Sequence, residues 1–152
     1  MLYPLQFNPI YRQYLWGGRQ FESAFGRMLP PGDRFAESWE LVDHGADQSV
    51  VAHGPLRGTT LHDLVLFHAQ ELLGIHASQS YFPVLFKFLD AACTLSVQVH
   101  PGAELARRRW SDQQVSGGPQ ILADGNEKTE LVVALEPFEA FVGWRPHDEA
   151  VA

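Results

Sequence analysis

Polar and apolar residues alternate with a period of two over residues 95–100. Leu95, Val97 and Val99 point one way, and Ser96, Gln98 and His100 point the other. The pattern predicts a strand that lines up a hydroxyl, an amide and an imidazole on one face. In an apolar core each of these groups would need its own buried partner, so the face reads as the wall of a site. A second apolar run, residues 83–89, precedes it across a break of small residues, and Pro101 closes it. The same logic recurs at Lys128-Thr129-Glu130, where Lys128 and Glu130 share a face at the head of the apolar run 131–135. These two strands are expected to meet and to hold a metal.

The rest of the chain reads as short elements. Residues 2–11 are extended and punctuated by proline, and Trp16-Gly17-Gly18 is a turn. Residues 19–25 fit a short helix closed by Gly26, and Pro30-Pro31-Gly32 breaks the chain. Residues 35–42 predict a strand, with Phe35, Glu37, Trp39 and Leu41 on one side and Ala36, Ser38, Glu40 and Val42 on the other. Residues 43–47 read as a turn and 48–52 as a short strand ended by Gly54-Pro55. Thr60 is the expected N-cap of a helix over residues 61–73. That helix has an apolar stripe of Leu61, Leu64, Val65, His68 and Leu72, with Gly74 after it. A helix is expected over 103–110, a loop over 111–126, and strands over 129–135 and 138–144, joined at Glu136-Pro137.

Many short strands with Gly and Pro between them predict a mainly β fold, an antiparallel sandwich or jelly roll with two or three short helices. There is no βαβ alternation, no G-x-G-x-x-G and no P-loop, which argues against a nucleotide-binding α/β fold.

Composition narrows the partners. The chain has 152 residues, the size of one ordinary domain with room for a proper core. Its formal charge of −7 argues against a nucleic-acid partner held by phosphate neutralisation. Arg107-Arg108-Arg109 reads as one solvated helix face. The lone cysteine, Cys93, excludes an internal disulfide, fits a reducing, cytoplasmic compartment, and is expected to be a small buried apolar residue. No N-terminal leader pattern and no stretch near the roughly 20 apolar residues of a spanning helix is present, so no membrane partner is expected.

Gln98, His100 and Glu130 are the metal candidates. Imidazole nitrogen and carboxylate oxygen suit zinc, and an amide oxygen is an acceptable weaker ligand. A histidine on a strand is also commonly a satisfied structural residue, and spacing leaves both readings open. Beside a divalent cation the Lys128 ammonium would be destabilised, which makes it a candidate general base; without a metal it is an ordinary exposed lysine. Lys87 lies in the middle of an apolar run, so it either snorkels out or faces a polar cavity and meets an anion. Glu37 and Glu40 fall on opposite faces, which places one towards a site and the other in solvent. His44, His53, His62, His68, His76 and His147 show no metal-ligand spacing and read as surface or capping residues.

Five segments together resemble the zinc-dependent type I mannose-6-phosphate isomerases, which are cupins. They are Trp16-Gly17-Gly18, Glu37-Ser38-Trp39-Glu40, Lys87-Phe88-Leu89-Asp90, Leu95-Ser96-Val97-Gln98-Val99-His100-Pro101 and Lys128-Thr129-Glu130. The Ser-x-Gln-x-His-Pro element is specific; Lys-x-Glu alone is not. The resemblance implies an incomplete cupin-type jelly roll over residues 1–152, a single domain forming the N-terminal portion of such an enzyme. It implies zinc on Gln98, His100 and Glu130, Ser96 and Lys87 as substrate-phosphate positions, and Lys128 near the reacting carbons. The implied reaction interconverts mannose 6-phosphate and fructose 6-phosphate through a zinc-stabilised enediol(ate). The family's later half supplies a further zinc-binding histidine and an active-site arginine, for which His147 and Arg145 lack the context. An incomplete jelly roll leaves strand edges open, which favours a homodimer. The rival function is a binding module for a sugar phosphate or metal without catalysis.

Overall fold

A short strand is stable only beside a partner, and this chain brings three distant segments side by side to provide one. The computed structural model describes residues 2–95 and 131–137. Its elements are β1 (Ile10–Arg12), α1 (Gln20–Phe25), β2 (Glu37–Leu41), β3 (Asp43–His44), β4 (Asp47–Gln48), α2 (Leu61–Leu73), one 3₁₀ turn (Gly74–His76) and β5 (Phe86–Leu89). The chain divides into two units, Met1–Ser96 and Val97–Ala152, and all of these elements lie in the first.

β2 is the centre of a three-stranded sheet, antiparallel to β1 on one side and to β5 on the other. Ile10 and Arg12 lie opposite Trp39 and Glu37. Across the other ladder Trp39 lies opposite Lys87, and Glu37 opposite Leu89. Directly opposed residues of an antiparallel pair share a face. One face therefore carries Ile10, Arg12, Glu37, Trp39, Lys87 and Leu89, and the other carries Tyr11, Ser38 and Phe88.

The second face is the greasy one. Phe21 of α1, Leu29 and Phe35 form a buried cluster against which Tyr11 and Phe88 pack. The Tyr11 and Phe35 rings meet edge-on at 5.4 Å, and Phe25 lies 4.6 Å from Phe88. Phe35 departs from the alternation expected of it. The strand begins at Glu37, and Phe35 instead bridges Gly18, so its ring joins the aromatic cluster rather than the side of Glu37 and Trp39.

The turn Trp16-Gly17-Gly18 is wedged between strand ends, with Gly17 bridging Ala91 and Gly18 bridging Phe35. A Cβ on Gly17 would lie 2.6 Å from the Ala36 backbone nitrogen, and one on Gly18 would lie 2.6 Å from Asp90 Oδ1. Asp90 is there because it caps α1: its Oδ2 accepts from the Gln20 backbone N–H at 2.5 Å. Gly18→Ala is expected to destabilise the fold by about 2 kcal/mol, the usual size of an overpacking penalty. Urea unfolding measures it, and a wild-type midpoint would refute the close approach.

The helix expected after Thr60 forms over the residues named for it. The Thr60 hydroxyl accepts from the Asp63 N–H at 3.0 Å and donates to Asp63 Oδ2 at 2.6 Å. Leu61, Leu64 and Val65 are buried. The stripe then ends early, because His68 leaves helical geometry (φ −130°, ψ 25°) and kinks the helix. Thr60→Ala is expected to cost about 1 kcal/mol by thermal or urea unfolding, as loss of an N-cap does.

Three expectations are corrected. Residues 43–48 are a hairpin, β3 and β4 around Gly45-Ala46, where a turn followed by a strand over 48–52 was expected; Gly45 at φ 52° makes so tight a reversal accessible. Residues 131–135 form no strand, and Leu131, Val132, Val133 and Leu135 are exposed. No described residue gives them a ladder partner, and an apolar run alone does not make a strand. Cys93 is exposed rather than buried, because the chain leaves the sheet after Asp90 and Ala91. The strand expected over 95–99, helix 103–110, loop 111–126 and strand 138–144 lie wholly or mainly outside the described residues.

Candidate functional site

The polar face of the sheet concentrates charge in a way that side-chain alternation alone dictates. Lys87, placed by β5 opposite Trp39, sets its Nζ 2.8 Å from Glu37 Oε1. The other carboxylate oxygen, Oε2, accepts from Trp39 Nε1–H at 2.7 Å. Glu37 is nearly fully buried, its side chain 7% exposed, against 23% for Lys87. Lys87 thus meets an anion, as in the second of its two expected fates, and that anion is a glutamate of the neighbouring strand. Lys87 lines neither of two cavities among the described residues.

Arg12 extends the array. Its guanidinium lies 4.3 Å above the Trp39 ring and pairs with Asp47 of β4. Two cations and two carboxylates thus surround one indole, and the cluster is charge-balanced. Burial first, and the Glu37 carboxylate second, hold the Tyr14 hydroxyl above the ordinary phenol value.

One of Glu37 and Glu40 was expected in solvent; Glu37 is held as above, and Glu40 is not in solvent either. Instead it is bound. Arg27 Nη1 and Nη2 reach Glu40 Oε1 and Oε2 at 2.8 and 2.9 Å, a two-pronged pair, and Arg27 Nη1 also donates to Ser38 Oγ at 2.6 Å. The Ser38 hydroxyl donates in turn to Glu40 Oε1 at 2.6 Å. The Glu40 hydrogen bond is the main cause holding the Arg27 guanidinium above its ordinary value. Each carboxylate of Glu37-Ser38-Trp39-Glu40 is thereby neutralised on its own side of the sheet. Sequence reasoning missed Arg27 altogether. The only signal was its place just after Gly26, which ends α1 in the left-handed conformation and turns the chain back towards β2.

A third knot ties the hairpin to α2. Buried Asp43 accepts from Gln48 Nε2 at 2.9 Å and from the Phe82 N–H at 2.8 Å, and lies 3.1 Å from His62 Nδ1. His62, read as a surface or capping residue, has its ring against Asp43, and its backbone N–H donates to Gln48 Oε1 at 3.3 Å.

Of the residues singled out from sequence, the structure describes Lys87 and places it on the polar face. Ser96, Gln98, His100, Lys128 and Glu130 lie outside the described residues. Among the described residues no group of three His, Cys, Asp or Glu side chains could hold a metal ion. No helix among them is long and apolar enough to cross a membrane.

The chain matches known proteins in sequence and in fold. Residues 4–147 match the family described as phosphomannose isomerase type I, catalytic domain. The chain is 41% identical over 103 residues to mannose-6-phosphate isomerase ManA of Bacillus subtilis, a match spanning 68% of this chain and 31% of that protein. It is 30% identical over 152 residues to human mannose-6-phosphate isomerase, spanning 92% of this chain and 34% of that one. The crystal structure of the mannose 6-phosphate isomerase from Bacillus subtilis superposes with a TM-score of 0.61 at 31% identity, covering 71% of this chain and 33% of that chain. The chain belongs to the type I phosphomannose isomerase family, and the mainly β, cupin-type fold expected from its sequence stands. It spans about a third of the length of these curated relatives.

Proposed function

We propose that this chain is the N-terminal portion of an aldose–ketose isomerase that interconverts mannose 6-phosphate and fructose 6-phosphate. The single observation that carries the reading is the family match over residues 4–147. The placement of Lys87 on the polar face, already holding a carboxylate, supports it. A lysine ammonium has three donors and Glu37 takes one of them, leaving two for phosphate oxygens. Glu37 also keeps the ammonium aimed. Ser96 is the second phosphate contact. Binding the phosphate end positions the sugar's reacting carbons, so that remote binding energy lowers the barrier at C1 and C2.

Gln98, His100 and Glu130 are the zinc ligands in this reading; an amide oxygen, an imidazole nitrogen and a carboxylate oxygen make a donor set that fits the ion. When bound, zinc supplies Lewis-acid stabilisation of the negative charge that develops on the sugar oxygens. Lys128 takes the proton from C2 of the aldose and returns it to C1 of the ketose, while the hydroxyl proton passes from O2 to O1. The partner is thus a small sugar phosphate, and the compartment the cytoplasm. The outer strands β1 and β5, which have one strand partner each among the described residues, are where a homodimer would pair.

Isomerase turnover with added zinc tests the reading. Turnover that requires zinc and falls at least about a hundredfold in His100→Ala is expected, the usual scale for removing a general catalytic element. Saturable sugar-phosphate binding without turnover would instead identify a non-catalytic binding module. Neither binding nor turnover would overturn both.

A further inference from the structure

We infer that Trp39 is a positioning residue that holds Glu37, and through Glu37 the ammonium of Lys87, by its indole N–H. Glu37 is nearly buried and has one donor on each carboxylate oxygen, Lys87 Nζ at 2.8 Å on Oε1 and Trp39 Nε1 at 2.7 Å on Oε2. A carboxylate bound on one oxygen only can swing about its terminal bond and loosen its hold on the ammonium. With Oε2 tied to a fixed N–H, Oε1 stays at one point, and the ammonium of Lys87 stays on it. The indole is itself fixed. The Arg12 guanidinium lies 4.3 Å over its ring and is tied to Asp47 on β4, outside the three-stranded sheet. A line of side chains therefore runs Asp47, Arg12, Trp39, Glu37, Lys87. Only the indole N–H can perform the step in the middle: a phenyl ring would keep the stacking on Arg12 and lose the donor.

The consequence for substrate rests on the proposed role of Lys87, but the positioning does not, and the test separates them. The chain has two lysines, Lys87 and Lys128, so selective 15N labelling gives two side-chain ammonium signals, assigned by the Lys87→Met variant. Ammonium hydrogen exchange at Lys87 is expected to be slow in the wild type and about tenfold faster in Trp39→Phe, the scale of losing one hydrogen bond to a charged group. In a Glu37→Gln background the same Trp39→Phe change is expected to add less than about twofold, because the effect passes through Glu37. Equal acceleration in both backgrounds, or none in either, overturns the inference and leaves Trp39 a packing residue. Should Trp39→Phe fail to fold, the indole N–H of Trp39 is read instead in Glu37→Gln. Its exchange is expected to quicken by a similar factor, and an indole signal indifferent to Glu37 overturns the inference. Adding inorganic phosphate to the same wild-type sample reports separately on Lys87: an ammonium signal that ignores phosphate counts against the phosphate role and leaves the positioning intact.

Discussion

Lys87→Met is expected to lower folding stability by about 3 kcal/mol and, with Lys87 as the proposed phosphate contact, to weaken sugar-phosphate binding at least about tenfold. Breaking one side of a buried ion pair leaves the other charge without compensation, and such losses run to about 3–5 kcal/mol in the interior. The lower end applies because Lys87 is 23% exposed while Glu37 is 7% exposed. Trp39 Nε1 still donates to Oε2, so Glu37 keeps one partner. The double variant Lys87→Met/Glu37→Gln is expected to recover most of the loss, because no buried charge remains; it is the control that separates fold from function. Urea unfolding of the three proteins measures this. A single variant as stable as the wild type would show that Glu37 does not depend on Lys87.

Arg27→Met is the second large effect, expected at about 2–3 kcal/mol. Arg27 satisfies both oxygens of Glu40 and the hydroxyl of Ser38, which has no solvent exposure. Removing it strands a carboxylate and leaves the Ser38 hydroxyl with Glu40 alone. Because both Arg27 and Glu40 are about one-fifth exposed, water offsets part of the cost, which keeps the figure below that of a fully buried pair. The guanidinium is held above its ordinary value, so its contribution is complete at neutral pH and would be lost only as pH rises past that raised point. Pairing Arg27→Met with Glu40→Leu and Ser38→Ala is expected to restore stability to within about 1 kcal/mol of wild type, because the ion pair and the buried hydroxyl it satisfies are then replaced together. A triple variant no better than the single would show that Arg27 acts through packing on Tyr11 and Phe25, which its guanidinium also overlies.

Local chemistry made much of the fold legible. Thr60 and Gly74 bracket α2 because a hydroxyl acceptor and a glycine are what helix ends require, and Gly26 closes α1 for the same reason. Period-two alternation put Glu37 and Trp39 on one face, and the register of β2 against β5 then brought Lys87 to them. What pattern could not show was partnership across distance. Arg27 and Glu40 are separated in sequence and meet only because the chain reverses at Gly26. Asp43 likewise finds His62 and Phe82 through tertiary packing. The run 131–135 misled because a continuous apolar run records a capacity to pair, whereas a strand needs the pairing itself. Cys93 misled because a small apolar residue just past a strand end can lie on either side of the surface. The expected ligand trio, Gln98, His100 and Glu130, lies outside the described residues, so its convergence rests on spacing and family likeness.

Calorimetric titration of mannose 6-phosphate into the zinc-supplemented chain, set beside Lys87→Met/Glu37→Gln, tests most directly whether the polar face of the sheet is the substrate's seat. Saturable binding by the wild type, weakened at least about tenfold in the folded double variant, is the predicted result for losing a charge-assisted contact to phosphate. Equal affinity in the two proteins, or no binding by the wild type, would contradict it.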